Sequence, residues 1–172
     1  MIVLGIDPGP ITSGVVVYDS KARRVLYSNA AEPNTDTDSV LMDWAPDAVV
    51  IEKPKFMGFN PRRMGQSIAR TQKVIETAYQ AGQMHARCED GDLFDVHTMS
   101  RQDVLNALGV KVKGDADAAV TKAVCRLLTG DPAWSKAKGT IKAKGPAYSV
   151  SSHAWQALGL VLAWLETQGG EQ

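Results

Sequence analysis

The sequence is short of cysteine, of long apolar runs and of net charge. Its two cysteines, Cys88 and Cys125, lie too far apart for a metal motif or a disulfide framework, which indicates reduced thiols in a cytoplasmic protein. No apolar run reaches the roughly 18 residues of a membrane span, and the N-terminus lacks the basic region and cleavage site of a signal peptide. Nineteen basic and 19 acidic residues cancel, so no global field attracts a polyanion.

The charges are nevertheless unevenly distributed. Six basic residues and no acid lie between Lys53 and Lys73, and four lysines and no acid lie between Lys136 and Lys144. Acidic residues are concentrated at 32–47 and 89–95. A neutral chain with two basic segments is compatible with a local phosphate-binding surface.

Two β-branched runs open the sequence and predict two buried strands joined by a short turn. The first, Ile2 to Ile6, ends in Asp7, and the second is Val15 to Val17. A turn then leads to a third predicted strand, Arg24 to Tyr27, so the fold begins as a three-strand antiparallel meander.

The rest of the chain alternates between predicted helices and strands. The predicted helices are Val40 to Trp44, Pro61 to Gly82, Arg101 to Leu108 after the cap Ser100, a helix opened by Asp115 or Asp117 and ended by Gly130, and His153 to about Thr167. The predicted strands are Ala48 to Ile51 and Leu93 to Val96, and 131–146 is predicted to be a mobile loop. This order predicts a single α/β domain over residues 1–172, with a mixed sheet (the antiparallel meander plus parallel strands) flanked by helices.

Two of the buried strands end in an acid, Asp7 after Ile6 and Glu52 after Ile51. Taken alone, Asp7 is as well explained by a turn in which it bonds its own backbone, and Glu52 by pairing with Lys53 or Lys55. If the strands are neighbours, however, the two carboxylates converge and repel each other unless a cation separates them. Magnesium prefers such oxygens, and a pair of ions about 4 Å apart stabilises both reacting oxygens of a phosphodiester.

The segment from Lys53 to Arg63 combines apolar and basic side chains in a stretch expected to face solvent. Phe56, Met57 and Phe59 are its apolar members. Aromatic side chains beside phosphate-binding cations suit a protein that unstacks bases at a branch point. The alternative is that they pack on the neighbouring helix.

Several short motifs, in order along nearly the whole chain, resemble one family. Ile6-Asp7-Pro8-Gly9, followed by Thr12-Ser13-Gly14, resembles the opening motif of the RuvC family of Holliday-junction resolvases, within the RNase H-like superfamily. Ile51-Glu52 resembles its second acidic motif, and His97 to Leu108 and Gly114 to Leu128 resemble the segments before its last catalytic motif. The resemblance implies an RNase H-like fold.

The family's last motif is an acid or histidine, then an acid three residues later, then alanine. Here the corresponding residues are His153 and Gln156, which share a helix face. His153 matches the family's histidine variant, but Gln156 brings an oxygen without a charge. Either Gln156 is a weak neutral ligand, or another acid such as Asp115 or Asp117 substitutes, or the site is weak or inactive. The aligned positions of these two aspartates favour helix capping.

The resemblance implies a metal-dependent endonuclease that resolves four-way or other branched DNA junctions as a homodimer, in the cytoplasm of a bacterial or phage-infected cell and close to the nucleoid. Asp7, Glu52, His153 and Gln156 would be its catalytic and metal-binding residues, with Mg2+ or Mn2+ as cofactor. A metal-activated water would leave 5′-phosphate and 3′-hydroxyl ends, and the helix from Pro61 to Gly82 would form the dimer contact. The predicted DNA-binding residues are Lys53, Lys55, Phe56, Phe59, Arg62, Arg63, Lys142 and Lys144.

Two alternatives remain open at this stage. One is a branched-DNA-binding protein with the same fold that lost catalysis through Gln156. The other is an ATP-handling protein, since Asp-Pro-Gly openings also occur in actin-like and sugar-kinase folds; 172 residues are too few for the two lobes of those folds.

Overall fold

A computed structural model describes residues 1–54, 67–89, 94–112 and 114–169, without the side chains of 67–70. The strands are β1 (Ile2–Asp7), β2 (Thr12–Asp19), β3 (Arg24–Pro33), β4 (Ala48–Lys53) and β5 (Asp95–Ser100). The helices are α1 (Thr37–Trp44), α2 (Ser67–Glu89), α3 (Arg101–Ala107), α4 (Ala116–Thr129), α5 (Trp134–Lys138) and α6 (Ala154–Gly169).

The five strands form one mixed sheet in the order β3-β2-β1-β4-β5. The β1–β2 and β2–β3 pairs are antiparallel, as the predicted meander requires, whereas β1–β4 and β4–β5 are parallel. Ile6 lies opposite Ile51 across the parallel pair, so both strands deliver their next residue to the same sheet edge. The predicted α/β fold with a mixed sheet is confirmed.

Both faces of the sheet are covered by helices, which explains the nearly continuous apolar runs of β1, β2 and β4. On one face Val3, Val16 and Val50 pack in a core that includes α4 and α6. The alternate residues, such as Leu4 and Ile51, pack on the other face with side chains of α1 and α2. Among the described helices, none is long and apolar enough to cross a bilayer.

Helix α6 is buried all round over 154–164. The spacing of Ala154, Leu158, Val161 and Leu165 predicts a single core stripe on this helix. The other faces are buried as well, because the helix lies between the sheet and the outer helices α3 and α4. Such a helix needs small residues where the sheet approaches. On the sheet side of this contact, Gly5 of β1 is such a residue, since a Cβ at this position would lie 2.5 Å from the carbonyl oxygen of Ala157.

We expect Gly5→Ala to destabilise the fold by about 3 kcal/mol, because the added methyl overpacks a contact made by backbone as well as by the Val161 side chain. Urea unfolding measures the change. Gly82→Ala on α2 is the matched control: nothing lies within 4 Å of its added Cβ. Its helix propensity should stabilise the protein by up to about 1 kcal/mol. Equal effects of the two substitutions would contradict the close packing of α6 on β1.

Several predicted boundaries were wrong. Helix α2 continues through Gly82 to Glu89, and β3 extends from the predicted Tyr27 to Pro33. Residues 131–146 are not an open loop, because they contain α5 and bury Ala137 in the core. The predicted start of α2 at Pro61 lies outside the described residues.

Candidate functional site

The two strand-end acids meet at one edge of the sheet. Asp7 ends β1 and Glu52 follows Ile51 in β4, and these strands are parallel neighbours in register. Both side chains are largely buried, with 19% of Asp7 and 14% of Glu52 exposed. The two carboxyl groups are close enough to influence each other's ionisation. The turn explanation for Asp7 accounts for none of this pairing.

Burial makes both acids reluctant to ionise. Desolvation raises the pKa of Asp7 to about 6, even though the Arg101 guanidinium opposes this increase. Desolvation, followed by the charge of Asp7, raises the pKa of Glu52 to about 7, again against the effect of Arg101. Because burial disfavours the charged form of both acids, additional positive charge beside them is favourable.

Arg101 supplies the positive charge that the structure shows in this place. Its Nη1 lies 3.3 Å from Oε2 of Glu52, and its Nη2 pairs with Oδ1 of Asp117. The position is set locally, because Ser100 caps α3 in a reciprocal capping box with Asp103 and thereby fixes the first helical residue, Arg101. The alternative that Glu52 pairs with Lys53 is wrong, and Lys55 lies outside the described residues.

Asp115 and Asp117 have different roles, although both were expected to be capping residues. Asp115 is the N-cap of α4, and its side chain accepts hydrogen bonds from the backbone N–H groups of Asp117 and Ala118. Asp117 points its carboxylate at Arg101 and raises the pKa of both Asp7 and Glu52. Capping is therefore confirmed for Asp115 and wrong for Asp117.

His153 precedes α6 and reaches the same edge. Its Nδ1 lies 3.6 Å from Oδ2 of Asp7, and 68% of its side chain is exposed. Gly14 allows this approach, because a Cβ there would lie 2.6 Å from the carbonyl oxygen of His153. The opening motif therefore contributes a glycine that admits the last site residue as well as an acid.

Gln156 is only 5% exposed and lies beside Asp117. Its Nε2 donates to the backbone carbonyl oxygen of Asp117 at 3.3 Å. Its Oε1 is buried and has no hydrogen-bond partner within the described part of the chain. A buried amide oxygen without a partner is costly, and it is available as a neutral ligand.

The donor atoms that Asp7, Glu52 and Gln156 bring to this edge are oxygens, the type that a hard divalent cation prefers. Two converging carboxylates suit magnesium, which commonly binds through one or two protein carboxylates and keeps several waters, and the Gln156 oxygen lacks a partner. Within 1–54, 67–89, 94–112 and 114–169, no three Asp, Glu, His or Cys side chains lie close enough to hold one metal ion. The Asp7–Glu52 pair is thus the part of this edge most suited to an ion.

The predicted DNA-binding residues are only partly covered by the structure. Lys53 is exposed at the end of β4. Lys142 and Lys144 are exposed between α5 and α6, where Lys144 Nζ lies 4.9 Å from the centre of the Tyr148 ring. The remaining predictions lie outside the described residues: Lys55, Phe56, Phe59, Arg62 and Arg63.

No protein-family model matches the chain, and no curated protein matches it. Solved structures do match it. Thermus thermophilus RuvC in complex with a Holliday junction substrate is 19% identical with a TM-score of 0.54, and the match covers 99% of this chain and 96% of that chain. Thermus thermophilus RuvC in a second structure is 20% identical with a TM-score of 0.55, with 99% and 97% covered.

A third similar structure is the yeast mitochondrial Holliday junction resolvase. It is 12% identical with a TM-score of 0.57, and the match covers 97% of this chain and 78% of that chain. At identities this low, the similarity shows that the fold is shared. The chain therefore has the RNase H-like fold of RuvC, as its motifs predicted.

Proposed function

We propose that the chain is a RuvC-like, divalent-metal-dependent endonuclease that nicks four-way and other branched DNA junctions. The observation that carries the proposal is the buried Asp7–Glu52 pair at the edge of the sheet. The chain that carries this pair shares its fold with two proteins whose structures are described as a RuvC with a Holliday junction substrate and a Holliday junction resolvase.

In this proposal Asp7 and Glu52 hold a magnesium or manganese ion, with the Gln156 oxygen and His153 at the same edge. When bound, such an ion would supply Lewis-acid chemistry that lowers the pKa of a water and neutralises charge on the reacting phosphate. Asp7 and Glu52 position the reacting groups. His153, largely exposed and 3.6 Å from Asp7, is placed to transfer a proton between the site and solvent.

The exposed lysines fit a role in binding the DNA backbone, because phosphate contacts position a protein without reading sequence. Lys53 adjoins the acid pair in sequence, and Lys142 and Lys144 belong to the second basic segment. The basic and aromatic residues between Lys55 and Arg63, which lie outside the described residues, stay predictions of the same kind.

Homodimer formation is part of the proposal, since two equivalent sites suit the two strands that must be cut at a four-way junction. Helix α2 is the proposed contact. Ile75 and Tyr79, one turn apart on α2, are 54% and 63% exposed and together present an apolar strip that a second copy could cover.

The test is a nicking assay with a synthetic four-way junction, a linear duplex of the same sequence, and added Mg2+ or EDTA. We expect nicks in the junction, with Mg2+ and near the branch point. Junction binding without nicking, together with nicking restored by Gln156→Asp, would identify the non-catalytic alternative. Equal nicking of the linear duplex would contradict junction selectivity.

A further inference from the structure

Arg101 connects two acids that belong to different elements. Glu52 lies at the end of β4, and Asp117 lies in the first turn of α4. The Nη1 nitrogen of Arg101 contacts the Glu52 carboxylate, and the Nη2 nitrogen contacts the Asp117 carboxylate. The contact is partly shielded, since 25% of the Arg101 side chain and 14% of the Glu52 side chain are exposed. A cation that bridges two carboxylates occupies the kind of position that a divalent ion takes in a two-metal site.

Gln156, like Arg101, makes the site less negative. The resemblance places an acid at this position, and the glutamine removes one negative charge. Gln156 also contacts the backbone of Asp117, the residue that holds Arg101. Gln156 and Arg101 therefore both contact Asp117, one at its backbone and one at its carboxylate. The lost negative charge and the fixed positive charge would both reduce the affinity for a second divalent ion.

We propose that Arg101 is a resident cation that takes the place of a second divalent ion, so that the folded chain binds one such ion per site. Glu52 and Asp117 hold Arg101, and the single ion binds at Asp7 and Glu52. Arg101 is a positioning residue in this arrangement, because its described contacts are to carboxylates of the protein. The inference rests on the proposed function only for the assumption that divalent ions bind this edge.

The experiment counts ions on the full chain at pH 7.5, by calorimetric titration with Mn2+ and by the electron paramagnetic resonance signal of unbound Mn2+. The wild type should bind one ion. Arg101→Gln should bind two, because it releases Glu52 and Asp117, and its first ion should bind about tenfold more tightly once the nearby positive charge is gone. Arg101→Lys, which keeps the charge, should still bind one.

A wild-type count of two or of none would overturn the proposal, and this measurement needs no variant. An Arg101→Gln protein that is folded by circular dichroism and binds one ion with unchanged affinity would overturn it as well. Nicking of the four-way junction is measured on the same samples. A wild type that binds one ion and does not nick would contradict the proposed function and leave the role of Arg101 intact.

Discussion

Replacing Asp7 by asparagine is expected to abolish junction nicking and, at the same time, to stabilise the metal-free protein. Loss of a ligand at the reacting centre removes several kcal/mol of transition-state stabilisation, a rate decrease of about 10³-fold or more. Stability changes in the opposite direction, because Asp7 is a buried acid whose charged form is disfavoured by desolvation. At pH 8 without metal we expect a gain of about 2 kcal/mol.

Two measurements separate these effects. Nicking of a four-way junction under single-turnover conditions gives the rate, and urea unfolding in EDTA gives the free energy of unfolding. Asp43→Asn is the matched control, because it removes the same charge from an exposed position on α1. It should change neither quantity appreciably. Unchanged nicking by Asp7→Asn would contradict the proposed metal site.

The stability of the metal-free protein should fall as pH rises from 5 to 8. Asp7 and Glu52 have pKa values raised from 3.8 to about 6 and from 4.5 to about 7, so the folded state binds their protons more tightly than the unfolded state does. Their stabilising contribution is complete below the unfolded values and is lost as pH rises through the folded ones. The expected decrease between pH 5 and 8 is about 3 kcal/mol.

Urea unfolding across this range in EDTA tests the sign. The double variant with Asp7→Asn and Glu52→Gln should lose most of the decrease, because neither position then titrates. Saturating Mg2+ at pH 8 should recover stability in the wild type, since a ligand that binds only the folded state stabilises it. A decrease of the same size in the double variant would assign it to other groups.

Local signals predicted much of the fold. The β-branched runs predicted β1, β2 and β4. Capping chemistry placed Ser100 at the start of α3 and either Asp115 or Asp117 at the start of α4, where the structure shows Asp115 as the cap. The errors arose where tertiary contacts override a local signal. Gly82 does not end α2, because glycine inside a helix costs only about 1 kcal/mol.

The sequence pattern of α6 predicts burial of one face, whereas the structure buries the whole helix over 154–164. A period of 3.6 residues reveals one apolar face, but α6 is covered on every side by the sheet and by outer helices. Sequence spacing does not tell a helix at the surface from one in the interior when both contain the same stripe. Only the arrangement of the other elements decides this.

The acid pair was accessible from sequence, whereas its counter-ion was not. Asp7 and Glu52 each end an apolar strand, so parallel pairing alone brings them together. Arg101 meets Glu52 and Asp117 through three separate elements, and no spacing in the sequence encodes that contact. Asp117 was considered only because an acid was missing at Gln156, and its local context favoured a cap.

The burial of α6 also governs when the site can exist during synthesis. Asp7 and Glu52 leave the ribosome well before His153 and Gln156, and until α6 packs, one apolar face of the sheet is uncovered. Contacts between residues so distant in sequence cost loop-closure entropy and slow folding. A chain that ends before α6 therefore leaves one apolar face of the sheet exposed to solvent and lacks His153 and Gln156 at the site.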